Sequence, residues 1–145
     1  QMNIICLDPY QDLYEKKYME GNRHSQYRTW RENGQFNLLE QEFTNIRWYD
    51  LGCIDKCDFL IVRVNPNVCS IGTDEELTTA QRAKKPIFCF IEGGKKAAPF
   101  WLFGMIKHEN IYDSLDEILD KIDKIDKGEL ETDPSRWRLL REEYR

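Results

Sequence analysis

Apolar and polar positions fall into blocks along this chain that predict strands separated by helices. Residues 59–64 and 86–91 are near-continuous apolar runs, the pattern of strands covered on both faces of a parallel sheet. Residues 3–7 form a shorter run stopped by Asp8-Pro9 and predict a first strand. Residues 46–48 predict a short second strand, and 110–112 a fifth. Helical spacing marks residues 11–19, 36–43, 49–56 and 74–83. Ser114-Leu115-Asp116-Glu117 matches a capping box, Ser at the N-cap and Glu three residues on. The helix it opens is expected to run to about Lys127 through Ile118, Leu119, Ile122 and Ile125. Residues 21–34 are polar with interspersed aromatics and carry no clear period. Strands alternating with helices imply right-handed βαβ units. The expected fold is therefore α/β: a flavodoxin-like or Rossmann-like three-layer sandwich with a mostly parallel sheet of about five strands. It occupies residues 1–127. Residues 128–145 form a charged C-terminal extension, expected to be helical around Trp137, Leu139 and Leu140.

Composition narrows the function classes. The 145 residues suffice for one domain with a real core, and the net charge of −5 argues against a general nucleic-acid or anionic-membrane binder. Arg23, His24, Arg28 and Trp30 form a basic aromatic cluster too short to override that balance. No apolar run approaches a membrane span. Residues 3–7 are too short for a secretory core, so a cytoplasmic setting is expected. The five cysteines (Cys6, Cys53, Cys57, Cys69, Cys89) fit free thiols in a reducing compartment. Cys53 and Cys57 lack the second Cys/His pair of a zinc site, so neither metal nor cofactor is expected.

Candidate chemistry gathers at the C-terminal edge of the expected sheet, where open α/β sheets bind ligands. Four groups converge there: Asp8, Pro9 and Tyr10 after the first strand; Asn65 and Asn67 through Ser70, Gly72 and Thr73 after the third; Glu76 in the following helix; and Glu92-Gly93-Gly94-Lys95-Lys96 after the fourth. Exposed N–H groups at a helix start favour anions. They suit an ionised Glu76 acting as nucleophile, or a phosphate held with the Ser70 and Thr73 hydroxyls. Asp50, in the helix before the third strand, is a candidate proton donor to a leaving group. An acidic first helical turn also serves as a plain complement to the helix dipole, and Lys95 and Lys96 read equally as a solvated turn. The GxGxxG, GxxxxGK[ST] and GxSxG motifs are absent.

Two stretches go beyond spacing. Residues 50–62, from Asp50-Leu51-Gly52-Cys53-Ile54 through Asp58-Phe59-Leu60-Ile61-Val62, are followed by Gly72-Thr73-x-x-Glu76 and by Lys85-Pro86-Ile87. Together they resemble the nucleoside 2-deoxyribosyltransferase-like superfamily, which includes the 2'-deoxynucleoside 5'-monophosphate N-glycosidases. The resemblance covers roughly residues 45–114. It implies Glu76 as the glycosyl-accepting nucleophile and Asp50 as the acid that meets the leaving base. It implies for Ser70 a contact with a 5'-phosphate, in a place where the free-nucleoside transferases carry an Asp. The first loop, Asp8-Pro9-Tyr10, departs from the small glycine- or serine-rich loop of that superfamily.

The expected function is an N-glycosidic-bond hydrolase or transferase acting on a (deoxy)nucleoside 5'-monophosphate. The alternatives are a free-nucleoside 2-deoxyribosyltransferase, or a nucleotide-binding protein on the same fold that sequesters or senses without turnover. The expected partners are a small nucleoside or nucleotide and further copies of the chain, as a dimer or larger homo-oligomer. Pro99-Phe100-Trp101-Leu102-Phe103-Gly104 is an aromatic loop that can stack on a base, meet a second subunit or bury against its own domain.

Overall fold

The computed structural model describes residues 4, 5, 7 and 23–137. They fall into two compact units that part between Lys56 and Cys57. The first is helical. α1 (His24–Glu32) and α2 (Phe36–Lys56) pack on each other. Tyr27 is the one buried residue of α1. Its ring meets Phe43 at 4.9 Å and Trp30 at 5.9 Å. Its hydroxyl donates to Glu42 at 3.3 Å, and Glu42 also pairs with Arg23.

The second unit is α/β. β1 (Leu60–Val64), β2 (Ile87–Ile91) and β3 (Ile111–Tyr112) form a parallel sheet in that order. Leu60 stands opposite Ile87 and Cys89 opposite Ile111. α3 (Ile71–Arg82) joins β1 to β2 and packs on both. A short α4 (Leu102–Met105) precedes β3, and α5 (Leu115–Asp126) packs on β2 and β3. Phe88 anchors the core on the α5 side, with Ile118 and Ile122 buried against it. Side chains alternate along a strand, so Ile87, Cys89 and Ile91 project to the other face. They are buried too, which covers β2 on both sides as its unbroken apolar run requires. The fold is thus α/β with a Rossmann-like arrangement, and among the described residues its sheet has three strands rather than five.

Two differences from the sequence pattern have identifiable causes. Residues 46–48 are not a strand but the middle of α2, a single helix of 21 residues. Its buried positions are Ile46, Cys53 and Ile54, spaced by two helical turns. Of the expected first strand, Ile4, Ile5 and Leu7 are described and none is paired in the sheet. The expected helix over 11–19 lies outside the described residues.

The turn after β2 requires glycine. Gly94 has φ +87°, and a Cβ there would lie 3.0 Å from an Asp113 carboxylate oxygen. That oxygen accepts from the Lys95 N–H, tying the turn to the end of β3. Past α5, the Trp137 ring docks on Phe59 at 5.9 Å and Phe88 at 6.0 Å. Residues 134–137 form a turn set by Asp133, whose carbonyl accepts from the Trp137 N–H at 2.9 Å. The rest of the expected C-terminal helix lies outside the described residues. Among the described residues, no helix is long and apolar enough to cross a membrane.

The core also holds two acids that resist ionisation. Burial pushes the Cys89 thiol from 9.0 up to about 11. Burial first, then the nearby Glu117 and Glu109 carboxylates, push Tyr112 from 10.0 up to about 12. Between those values the unfolded chain has released protons that the folded chain keeps. The unfolded state then binds fewer protons, so stability falls as pH rises through that window. The Tyr112 hydroxyl is buried with no hydrogen-bond partner, an arrangement that disfavours the folded state. Tyr112→Phe is therefore expected to stabilise by about 1 kcal/mol at neutral pH and to flatten the decline above pH 10. Urea midpoints for both proteins across pH 7–11 test this. A loss of stability in Tyr112→Phe at neutral pH contradicts it.

Candidate functional site

A cavity of about 660 Å³ opens at the C-terminal edge of the sheet, a volume typical of small-ligand sites. Its floor is the ends of β1 and β2, through Arg63, Val64 and Glu92. One wall is the loop from Asn65 to Ser70 and the first turns of α3, through Thr73, Asp74 and Leu77. The other is Pro99, Trp101, Leu102 and Met105.

Local chemistry explains how α3 reaches this wall. Sequence spacing places the helix start at Thr73-Asp74, but α3 begins at Ile71 with Ser70 as N-cap. The Ser70 hydroxyl accepts from the Thr73 N–H at 3.4 Å and shares a 2.7 Å hydrogen bond with the Thr73 hydroxyl. Ser70 satisfies one of the orphan donors of the first turn, and Thr73 moves inside the helix. Asp74 then adds a carboxylate to the positive end of the helix dipole. Across the floor, Arg63 of β1 pairs with Glu92 after β2.

The expected site residues separate into four groups. Asn65, Ser70 and Thr73 line the cavity. Asn67 does not. Its N–H donates to the Asn65 side-chain oxygen at 2.9 Å, so it shapes the turn that presents Asn65. Gly72 and Glu76 are on α3 but outside the lining. At roughly 100° per residue, Glu76 stands about a third of a turn from the face that carries Ser70, Thr73, Asp74 and Leu77. It is half-buried there and engaged with its surroundings. Asp50 belongs to the helical unit, half-buried on α2. Asp8, Pro9 and Tyr10 lie outside the described residues. Of the expected lysines, neither lines the cavity: the Lys95 ammonium binds the His108 carbonyl, and Lys96 is exposed.

Gly72 has no local steric need to be glycine. A Cβ there would meet nothing within 4 Å, and its φ is not in the left-handed region. Gly72→Ala is expected to raise stability by roughly 0.5 kcal/mol, since alanine restricts the unfolded chain and favours helix. If the glycine admits a ligand to the first turn, nucleotide affinity drops while stability rises. Urea denaturation and nucleotide titration of the same sample separate the two effects. Unchanged affinity removes Gly72 from the site.

Sequence reasoning missed Arg63 and Asp74 as cavity residues. Arg63 sits inside an apolar run and reads as a strand interruption. Asp74 reads as a dipole complement, which it also is. Among the described residues, no group of three His, Cys, Asp or Glu side chains is placed to hold a metal ion. Cys69 and Cys89 are free thiols. Comparison with family models, with curated proteins and with solved structures finds no match to this chain.

Proposed function

We propose that this chain breaks or transfers the N-glycosidic bond of a (deoxy)nucleoside 5'-monophosphate, with Glu76 as nucleophile. The observation that carries the reading is the cavity at the sheet's C-terminal edge, walled by the Ser70-capped start of α3. The glycine-threonine-glutamate sequence beside it supplies the resemblance. In the reaction, a Glu76 carboxylate oxygen bonds to the anomeric carbon as the carbon–nitrogen bond breaks. The departing base takes a proton from an acid, the role that the resemblance implies for Asp50. Water or an acceptor nucleobase then attacks the same carbon and frees the carboxylate. Ser70 and Thr73, with the N–H groups of the first turn, receive the phosphate. This chemistry draws on no metal or organic cofactor, and the working form is a homo-oligomer, dimer or larger.

A second reading is binding without turnover, in which the chain sequesters or senses a nucleotide. The position of Glu76 off the lining face of α3 favours it. The two separate when the protein is incubated with a panel of nucleosides and their 5'-monophosphates and free base is measured. Release that disappears in Glu76→Ala supports catalysis. Tight binding without release, equal in both proteins, leaves the binding reading. Release from nucleosides but not from monophosphates assigns the free-nucleoside reaction instead.

A further inference from the structure

Trp101 is 82% exposed, although tryptophan is usually well buried. Phe100 beside it is 94% exposed but does not line the cavity, and Ala98 and Leu102 are each 6% exposed. The backbone between them is held by hydrogen bonds from Leu102 to Pro99 and from Gly104 to Trp101, both 3.0 Å. The indole is therefore carried on an anchored turn rather than a loose loop, and it lines the cavity. Among the described residues no other ring packs against it. Exposed apolar surface of this kind marks a ligand or partner site. An exposed indole face at the rim of a cavity is a platform for a planar ring.

The charges around it narrow the ring's chemistry. Three charged side chains line the cavity: Arg63, Asp74 and Glu92. Arg63 is paired with Glu92, and Asp74 has no cation partner among the described residues. Asp74 is an acceptor, so it favours a ring bearing N–H donors, uncharged or cationic. Asn65 and Thr78 add neutral donors and acceptors to the lining.

We infer that the Trp101 indole is the stacking platform for a planar nitrogen heterocycle with an exocyclic amine, whose donors face Asp74. Placing a nucleobase here rests on the reading above, but not on any bond being cleaved. Trp101 is a binding residue in this scheme and takes no part in proton or glycosyl transfer.

Calorimetric titration of the full chain with deoxyadenosine, and with 2-deoxyribose 5-phosphate as a probe lacking the base, tests the inference. Trp101→Ala is expected to raise the deoxyadenosine Kd by roughly tenfold or more. Trp101→Phe restores most of the affinity, and the Kd of the base-free probe stays the same in all three proteins. The exposure of Trp101 keeps Trp101→Ala folded, which its circular dichroism verifies. Equal deoxyadenosine affinity in wild type and Trp101→Ala overturns the inference, as does no binding by wild type. A changed sedimentation coefficient in Trp101→Ala with unchanged affinity also overturns it, assigning the rim to self-association. Base release with a Trp101-independent Kd sinks this inference and leaves the glycosidic reading. Trp101-dependent binding without base release does the reverse.

Discussion

Glu76→Ala is expected to lower base release from a nucleoside 5'-monophosphate by at least about 10³-fold, as removal of a covalent nucleophile does. The methyl group has no lone pair to offer the anomeric carbon, and no neighbouring group occupies the same place on α3. Alanine is the best helix former, so α3 and its Ser70 cap survive the change. The informative control is Asp74→Asn. Asp74 lines the cavity and Glu76 does not, so Asp74 is the rival carboxylate. Base release by Glu76→Ala, Asp74→Asn and wild type is compared by chromatography under identical conditions. Mass spectrometry of wild type trapped with a slow substrate locates the sugar adduct. An adduct on Glu76 that is lost in Glu76→Ala supports the assignment. A full loss in Asp74→Asn with Glu76→Ala still active moves the nucleophile to Asp74.

Phe88→Ala is expected to destabilise the α/β unit by about 3–5 kcal/mol. Phe88 is 2% exposed. It lies among Ile118, Ile122 and the rings of Phe59, Tyr112 and Trp137, at centroid distances of 5.9, 6.5 and 6.0 Å for the three rings. Removing it leaves a cavity whose walls belong to a strand, a helix and the chain beyond α5, which do not collapse together. Against a typical total of roughly 5–15 kcal/mol, this is a large share. Urea unfolding followed by circular dichroism gives the number. A loss below about 1 kcal/mol would show that this side of the sheet is loosely packed.

The sheet was legible because its strands are buried on both faces. Residues 59–64, 86–91 and 110–112 predict strands within a residue of β1, β2 and β3. The Ser114 capping box and the end of α5 at Lys127 were equally plain, since cap chemistry is local. The helical unit was not. Ile46 and Trp48, β-branched and aromatic on either side of Arg47, read as a strand, but the spacing from Ile46 to Cys53 and Ile54 reveals the helix only over two turns. α1 buries a single residue, Tyr27, and draws its support from the Phe43 ring and from Glu42. Such support comes from residues distant in sequence and leaves no period behind. At the site, Ser70, Thr73 and Asn65 were legible because turn and cap residues announce themselves. Trp101 was recognisable as an aromatic loop, but its place on the cavity rim depends on the fold.

Arg63 bears on solubility as well as on the cavity floor. Among the described residues β1 stands at the edge of the sheet, with β2 as its one neighbour. Apart from Arg63, it consists of Leu60, Ile61, Val62 and Val64. An apolar strand with an open edge is a template for intermolecular pairing. Arg63, 67% exposed along its side chain, puts a hydrated charge in the middle of that edge. It acts as a gatekeeper against strand addition. Substitutions at this position therefore need soluble yield measured before any change in turnover is assigned to the cavity.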